Sequence, residues 1–354
     1  MKFSTQLSGL IFNLLRKKPV LRSAEAEDQS YANKIKREID SYKHVVNVAN
    51  LPDIHGYWAH NYVLPLLEQF GFRNEEEFYQ NYIIKVCRSS ESKINRIIAL
   101  GSGNCELEVS LARKLLDAKI TNFVFECTDL NPFMLERGKA LAQSKGVSEH
   151  LLFTEVDINK WTPNVEYNIV IANHSLHHFV ELENIFGSIR RCLSPSGYFL
   201  THDMIGRNGH MRWPEALDVV NKLWKELPEK YKYNHLQRRL ELEYDNFDCS
   251  VDGFEGIRAQ DILPLLIKNF HFELFVPFGN VIDIFVDRCF GHNFDVSNEW
   301  DRNFIDRVQH LDQASIESGE LKPTHMYAAL TTVLPKEQHF HKHLTPEFCV
   351  RIAN

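Results

Sequence analysis

Among the 354 residues there is no Cys-x-x-Cys pair, although the chain holds seven cysteines: Cys87, Cys105, Cys127, Cys192, Cys249, Cys289 and Cys349. Thiols scattered in this way indicate neither a zinc cluster nor a disulfide framework and read as reduced and cytosolic; no metal ligands are assigned, although Asn173 and Asp203 at adjacent strand ends leave metal assistance open. An excess of positive charge is missing as well. Lys plus Arg total 40 against 47 for Asp plus Glu, giving a net charge of -7. Nonspecific nucleic-acid affinity comes from accumulated cations along the phosphates, so no nucleic-acid partner is expected. Long apolar runs are also lacking: none approaches the roughly 20 residues that span a bilayer, which predicts no integral membrane segment and a cytoplasmic location. The opening stretch "MKFSTQLSGLIFNLLRKKPVLRS" has a short apolar run with its basic cluster behind it, the reverse of a signal peptide. It reads as a docking helix or frayed tail, with an amphipathic membrane-touching helix as the alternative.

With 44% hydrophobic and 25% charged residues, the chain has the composition of a globular protein with one large core and an appendage or two. Residues 1–93 are polar and helical in pattern, and from 94 the texture changes. The apolar runs "RIIAL", "NFVFECT", "LLFTEV", "YNIVIA" and "GYFLTHD" alternate with amphipathic segments. That alternation predicts an α/β fold, a doubly wound, mostly parallel seven-stranded sheet. Leu107, Leu111 and Leu115 mark the buried stripe of its first helix. We divide the chain into a helical N-terminal region (1–93), a Rossmann-like half (94–203), a helical cap for substrate (204–269), the last strands (270–335) and a tail (336–354).

The first strand opens through "GSGNC" into a helix, which lets a nucleotide-like ligand approach bare backbone. The second ends in "ECTDLNPF", where Asp129 is placed to accept two ribose hydroxyls. In order, "ALGSGNC", "TDLNPFML", "EVDI", "YNIVIANHSLHHF" and "CLSPSGYFL" resemble the successive motifs of the class I S-adenosylmethionine-dependent methyltransferases, small-molecule type, over roughly residues 94–332 without the cap. The resemblance implies S-adenosylmethionine as cofactor. It places Gly101, Ser102 and Gly103 along the methionine part, Asp129 on the ribose, Leu130 against adenine, Asp157 and Ile158 on the adenine edge, and Asn173 beside the sulfonium. Two departures stand out: Ala99 replaces an acidic residue common before the turn, and Cys105 replaces the third glycine, which would bring more side chain near the cofactor. The segment "HGYW" is expected to act as a lid, with Tyr57 and Trp58 closing on the cofactor. Aromatics docking a helix on the core are the alternative.

Methylation of base amines is associated in this family with an Asn/Asp-Pro-Pro-aromatic motif after the fourth strand, and "ANHSLHH" has no proline. The region is instead similar to small-molecule O-methyltransferases, which implies His177 as the base that deprotonates a hydroxyl; a structural histidine is the alternative. His174, His178, His202, Arg207, His210 and Trp213 are expected to line the acceptor at the mouth of the sheet. The expected function is methyl transfer to a hydroxyl of a small molecule, a sugar or natural-product intermediate. The alternatives are N-methylation by proximity, a non-catalytic cofactor-binding module, and a nicotinamide dehydrogenase, the last disfavoured by the missing third glycine.

Overall fold

The computed structural model describes residues 24–43, 50–89, 93–251 and 253–352, so the apolar and basic opening stretch lies outside the described residues. Helices come first: α1 (Ala24–Tyr42), α2 (Asp53–Trp58), which runs through one wide turn into α3 (Leu64–Glu68), and α4 (Glu75–Ser89). The alternating part follows as β1 (Asn95–Leu100), α5 (Glu106–Asp117), β2 (Phe123–Asp129), α6 (Pro132–Ser144), β3 (Leu151–Glu155), β4 (Tyr167–Asn173), α7 (Leu182–Cys192) and β5 (Leu193–Met204). After it come α8 (Pro214–Glu226), a two-residue hairpin of β6 (Tyr233–Asn234) and β7 (Arg239–Leu240), and α9 (Ala259–Asn269). The chain then forms β8 (His271–Phe278), α10 (Ile282–Val286), α11 (Glu299–Ser318), β9 (His325–Thr331), β10 (His339–Phe340) and α12 (Pro346–Cys349).

Local signals start and stop these elements. Asn131 accepts from the Phe133 amide and Pro132 presets the first turn of α6. Asn298 caps α11, and Gly319 ends it in the left-handed conformation. The strands form an eight-stranded sheet in the order β10-β8-β9-β5-β4-β1-β2-β3. Within it β1 to β5 run parallel, and β9 lies antiparallel to both β5 and β8. The mostly parallel, Rossmann-like class is as expected, but the sheet has eight strands rather than seven. The added one, β10, comes from the stretch read as a tail and pairs with the edge of β8.

Successive residues of each strand enter opposite layers. Ile98, Leu100, Val170 and Ala172 join the core on one face, while Ile97, Ala99, Ile169 and Ile171 join the core on the other. This two-sided burial is why the strands read as unbroken apolar runs. The segment after β5 is less purely helical than expected, since it contains the β6–β7 hairpin, and α9 packs on α7 as part of the layer covering the sheet. No helix among the described residues is long and apolar enough to cross a membrane.

Candidate active site

The carboxyl edge of β1 to β5 gathers the chemistry, because in an open α/β sheet the turns leaving parallel strands all emerge on that side. Gly101 (φ 73°) and Gly103 (φ 53°) both hold left-handed backbone in the first turn. A Cβ on Gly101 would lie 2.8 Å from Ser175 Cβ, so only glycine lets this turn sit under the β4 turn. The Ser102 amide donates to the Thr128 carbonyl (2.8 Å), and the Gly103 amide donates to Asp129 Oδ2 (2.8 Å). Cys105 also adopts left-handed backbone (φ 57°), yet its side chain is fully buried rather than near the cofactor side. Its Sγ would stand 2.8 Å from a Cβ on Gly138, so the space that a glycine at 105 would have left is left at 138 instead.

Asp129 Oδ1 accepts from the Asn131 amide (2.8 Å), which leaves lone pairs of both carboxylate oxygens for a ligand. Burial raises its pKa, and the amides of Asn131, Gly103 and Leu130 oppose that. Asp157 receives the Tyr31 hydroxyl at 3.0 Å on each oxygen and the Asn159 amide at 3.1 Å. Ile158 is buried, Leu130 is half-buried, and Asn173 Oδ1 accepts from the Tyr79 hydroxyl (2.9 Å). Helix α1 thus lies along the two carboxylates expected to hold the cofactor, with the Ile39 carbonyl accepting from Asn131 Nδ2 (3.2 Å). Glu38, on the same helix, titrates at about 7 because burial and the charges of Glu255 and Asp129 oppose its ionisation.

His177 Nδ1 lies 2.6 Å from Asp203 Oδ1, and both side chains are buried. Asp203 Oδ2 accepts from the amides of Ser175 (2.9 Å) and Leu176 (2.7 Å), so the carboxylate at the end of β5 holds the whole turn after β4. On its other side His177 Nε2 is 3.6 Å from Glu255, which His210 Nε2 approaches to 2.8 Å and His178 to 3.6 Å. Backbone bonds brace the group: the Ile257 amide donates to the His177 carbonyl (3.1 Å), and the Gly209 amide to the Gly256 carbonyl (2.8 Å). Burial lowers the His177 pKa, but the Asp203 carboxylate and then Glu255 outweigh it and lift it to about 10.

Residues 91–255 match a protein-family model described as a methyltransferase domain, and they span β1 to β5 with the glycine turn and both strand-end aspartates. This stretch of the chain is an S-adenosylmethionine-dependent methyltransferase domain. No curated protein matches the sequence. Among solved structures, the geranyl diphosphate C-methyltransferase from Streptomyces coelicolor A3(2), in complex with Mg2+, geranyl diphosphate and S-adenosyl-L-homocysteine, is similar at 12% identity and TM-score 0.44, covering 85% of this chain and 99% of that one. The StiE O-MT is similar at 11% identity and TM-score 0.42, covering 82% and 85%. A methyltransferase from Geobacter sulfurreducens in complex with S-adenosyl-L-homocysteine is similar at 12% identity and TM-score 0.38, covering 72% and 91%.

Not every residue singled out in this methyltransferase's sequence reaches the cleft. The Tyr57 hydroxyl donates to Asp306 (2.9 Å) and Trp58 Nε1 to Gln309 (2.6 Å), so both aromatics of the expected lid are committed to α11. The segment that touches Asp157 and Asn131 is α1. Arg207 donates to the Arg212 carbonyl (3.0 Å), and Trp213 lies under the Arg351 guanidinium, 5.5 Å from its ring centre. Those two serve the base of α8. His174, His178, His202 and His210 do converge near His177, joined by Glu38, Glu75 and Glu255, which the sequence reading missed. Glu255 had a weak signal, a carboxylate flanked by glycines in "GFEGI", whereas Glu38 and Glu75 sit in ordinary charged helices.

Proposed function

We propose that this methyltransferase moves a methyl group to a hydroxyl oxygen of a small polar molecule, with His177 taking the proton. The observation that carries this reading is the buried His177–Asp203 pair, 2.6 Å apart at the rim of the glycine turn. Asp203 fixes the imidazole through Nδ1, which turns Nε2 to the side where Glu255 and His210 stand. S-adenosylmethionine would supply an electrophilic methyl, the acceptor oxygen would form the new bond as the sulfur leaves, and the hydroxyl proton would pass to His177. The surrounding carboxylates Glu38, Glu75 and Glu255 favour a neutral, hydroxyl-rich acceptor such as a glycoside over a phosphorylated one.

The turn fits the cofactor on this chain's own geometry. Its two left-handed glycines present no Cβ, and Asp129 keeps acceptor capacity after bonding two amides. Screening the protein with labelled S-adenosylmethionine against glycosides, hydroxylated metabolites and amines tests the reading, and transfer to amines alone would replace it with N-methylation by proximity.

A base must be neutral to accept a proton, and His177 is cationic below its raised pKa of about 10. Turnover should therefore climb with pH from neutrality toward that value, by about tenfold per unit where a single proton is lost. A rate already flat at neutral pH would exclude His177 as the titrating base. The cofactor should also slow amide hydrogen exchange in α1, whose Tyr31 meets Asp157, more than in α2, which α11 already holds. Equal protection of both, or none, would remove α1 as the cover.

A further inference from the structure

We propose that Glu75, His174 and His202 bind a divalent first-row transition ion, zinc being the simplest occupant, at a second station of the same cleft. The donors come from separate elements: Glu75 begins α4, His174 follows β4, and His202 lies near the end of β5. Their ligand atoms all fall within 4.8 Å of one another. Glu75 Oε1 is 3.1 Å from His202 Nδ1, and the two imidazole centres are 4.0 Å apart. Donors about 2.0 to 2.1 Å from a tetrahedral zinc ion stand roughly 3.3 Å from each other, so the group needs little movement to close on an ion.

The protein holds these side chains in place. β4 and β5 pair with Asn173 opposite His202, and the His174 amide donates to the His202 carbonyl (2.8 Å). His202 is stacked on Tyr327, with ring centres 3.9 Å apart and planes 19° apart. His174 has left-handed backbone (φ 49°), a conformation that costs a residue with a Cβ and that recurs where a side chain must be aimed. Among the described residues no group hydrogen-bonds its ring, which is exposed while His202 is buried. Two imidazoles, one carboxylate and an open side form the donor set of a catalytic transition-metal site rather than a closed structural one.

Two other groups compare less well. His177, His210 and Glu255 belong to the proton-transfer site already described. Cys105, Glu108 and Cys127 are closed inside the core, beyond reach of a substrate. At the open site an ion could hold the acceptor oxygen and lower the pKa of its hydroxyl, easing the proton's passage to His177. That role rests on the hydroxyl-methylation reading; ion binding itself does not.

The test uses the full chain, stripped with a chelator, dialysed and titrated with zinc chloride and separately with cobalt chloride. One equivalent should bind, and the cobalt form should show visible d–d bands. Glu75→Gln and His174→Ala, checked for folding by circular dichroism, should each weaken binding by at least about tenfold, whereas His339→Ala, an exposed histidine of β10, should leave it unchanged. No bound equivalent, or wild-type affinity in both site variants, overturns the proposal. S-adenosylmethionine affinity measured on the same samples separates the two readings: an ion bound without cofactor sinks the methyl-transfer reading and leaves the site standing. Turnover on a hydroxyl acceptor that is indifferent to the chelator overturns the ion's role in holding that acceptor.

Discussion

Replacing His177 by alanine should reduce turnover on a hydroxyl acceptor by about a hundred- to ten-thousandfold, while S-adenosylmethionine affinity stays near that of the wild type. The split is expected because the carboxylates assigned to the cofactor, Asp129 and Asp157, make their contacts without His177. Stability must be measured alongside. Asp203 is fully buried, and losing its imidazole partner leaves a desolvated charge held only by backbone amides, which typically costs about 3 to 5 kcal/mol. His177→Gln offers Asp203 an amide donor but no base, so it should fold better than alanine and turn over no faster. Full turnover in a folded glutamine variant would make the histidine structural and leave proximity catalysis as the better account.

Asp129→Ala should weaken S-adenosylmethionine binding at least about tenfold, because hydrogen bonds to a charged acceptor are worth about 1.5 to 3 kcal/mol. Part of that loss would act through the turn itself. Gly103 and Asn131 donate their amides to Asp129, so alanine frees both and loosens the glycine backbone proposed to carry the cofactor. Asp129→Asn keeps one carbonyl acceptor and should fall between alanine and wild type. Calorimetry on the folded variants gives the ranking directly. If all three bind alike, Asp129 only ties the turn together.

The sequence by itself determined the local features: apolar runs that become doubly buried strands, the Gly-Ser-Gly turn after β1, carboxylates after β2 and β3, and the histidine pair after β4. Each follows from neighbouring residues, because strand period, turn chemistry and the order of a parallel sheet settle where a strand's last residue emerges. Whatever depends on partners far apart in the chain was decided only by the tertiary structure. Tyr31 meets Asp157 across 126 positions, and Glu75 meets His202 across 127, separations at which no spacing rule operates. For the same reason the expected lid aromatics turned out to be anchors for α11, since which helix covers a cleft depends on how α1, α2 and α11 pack rather than on the aromatic content of any one of them. The histidines that sequence reading treated as one acceptor rim are split by packing: Asp203 and Glu255 engage His177 and His210, while Glu75 draws in His202 beside an uncommitted His174. That division arises because each carboxylate is drawn to the nearest donor the fold supplies, most strongly at Asp203, which is fully buried.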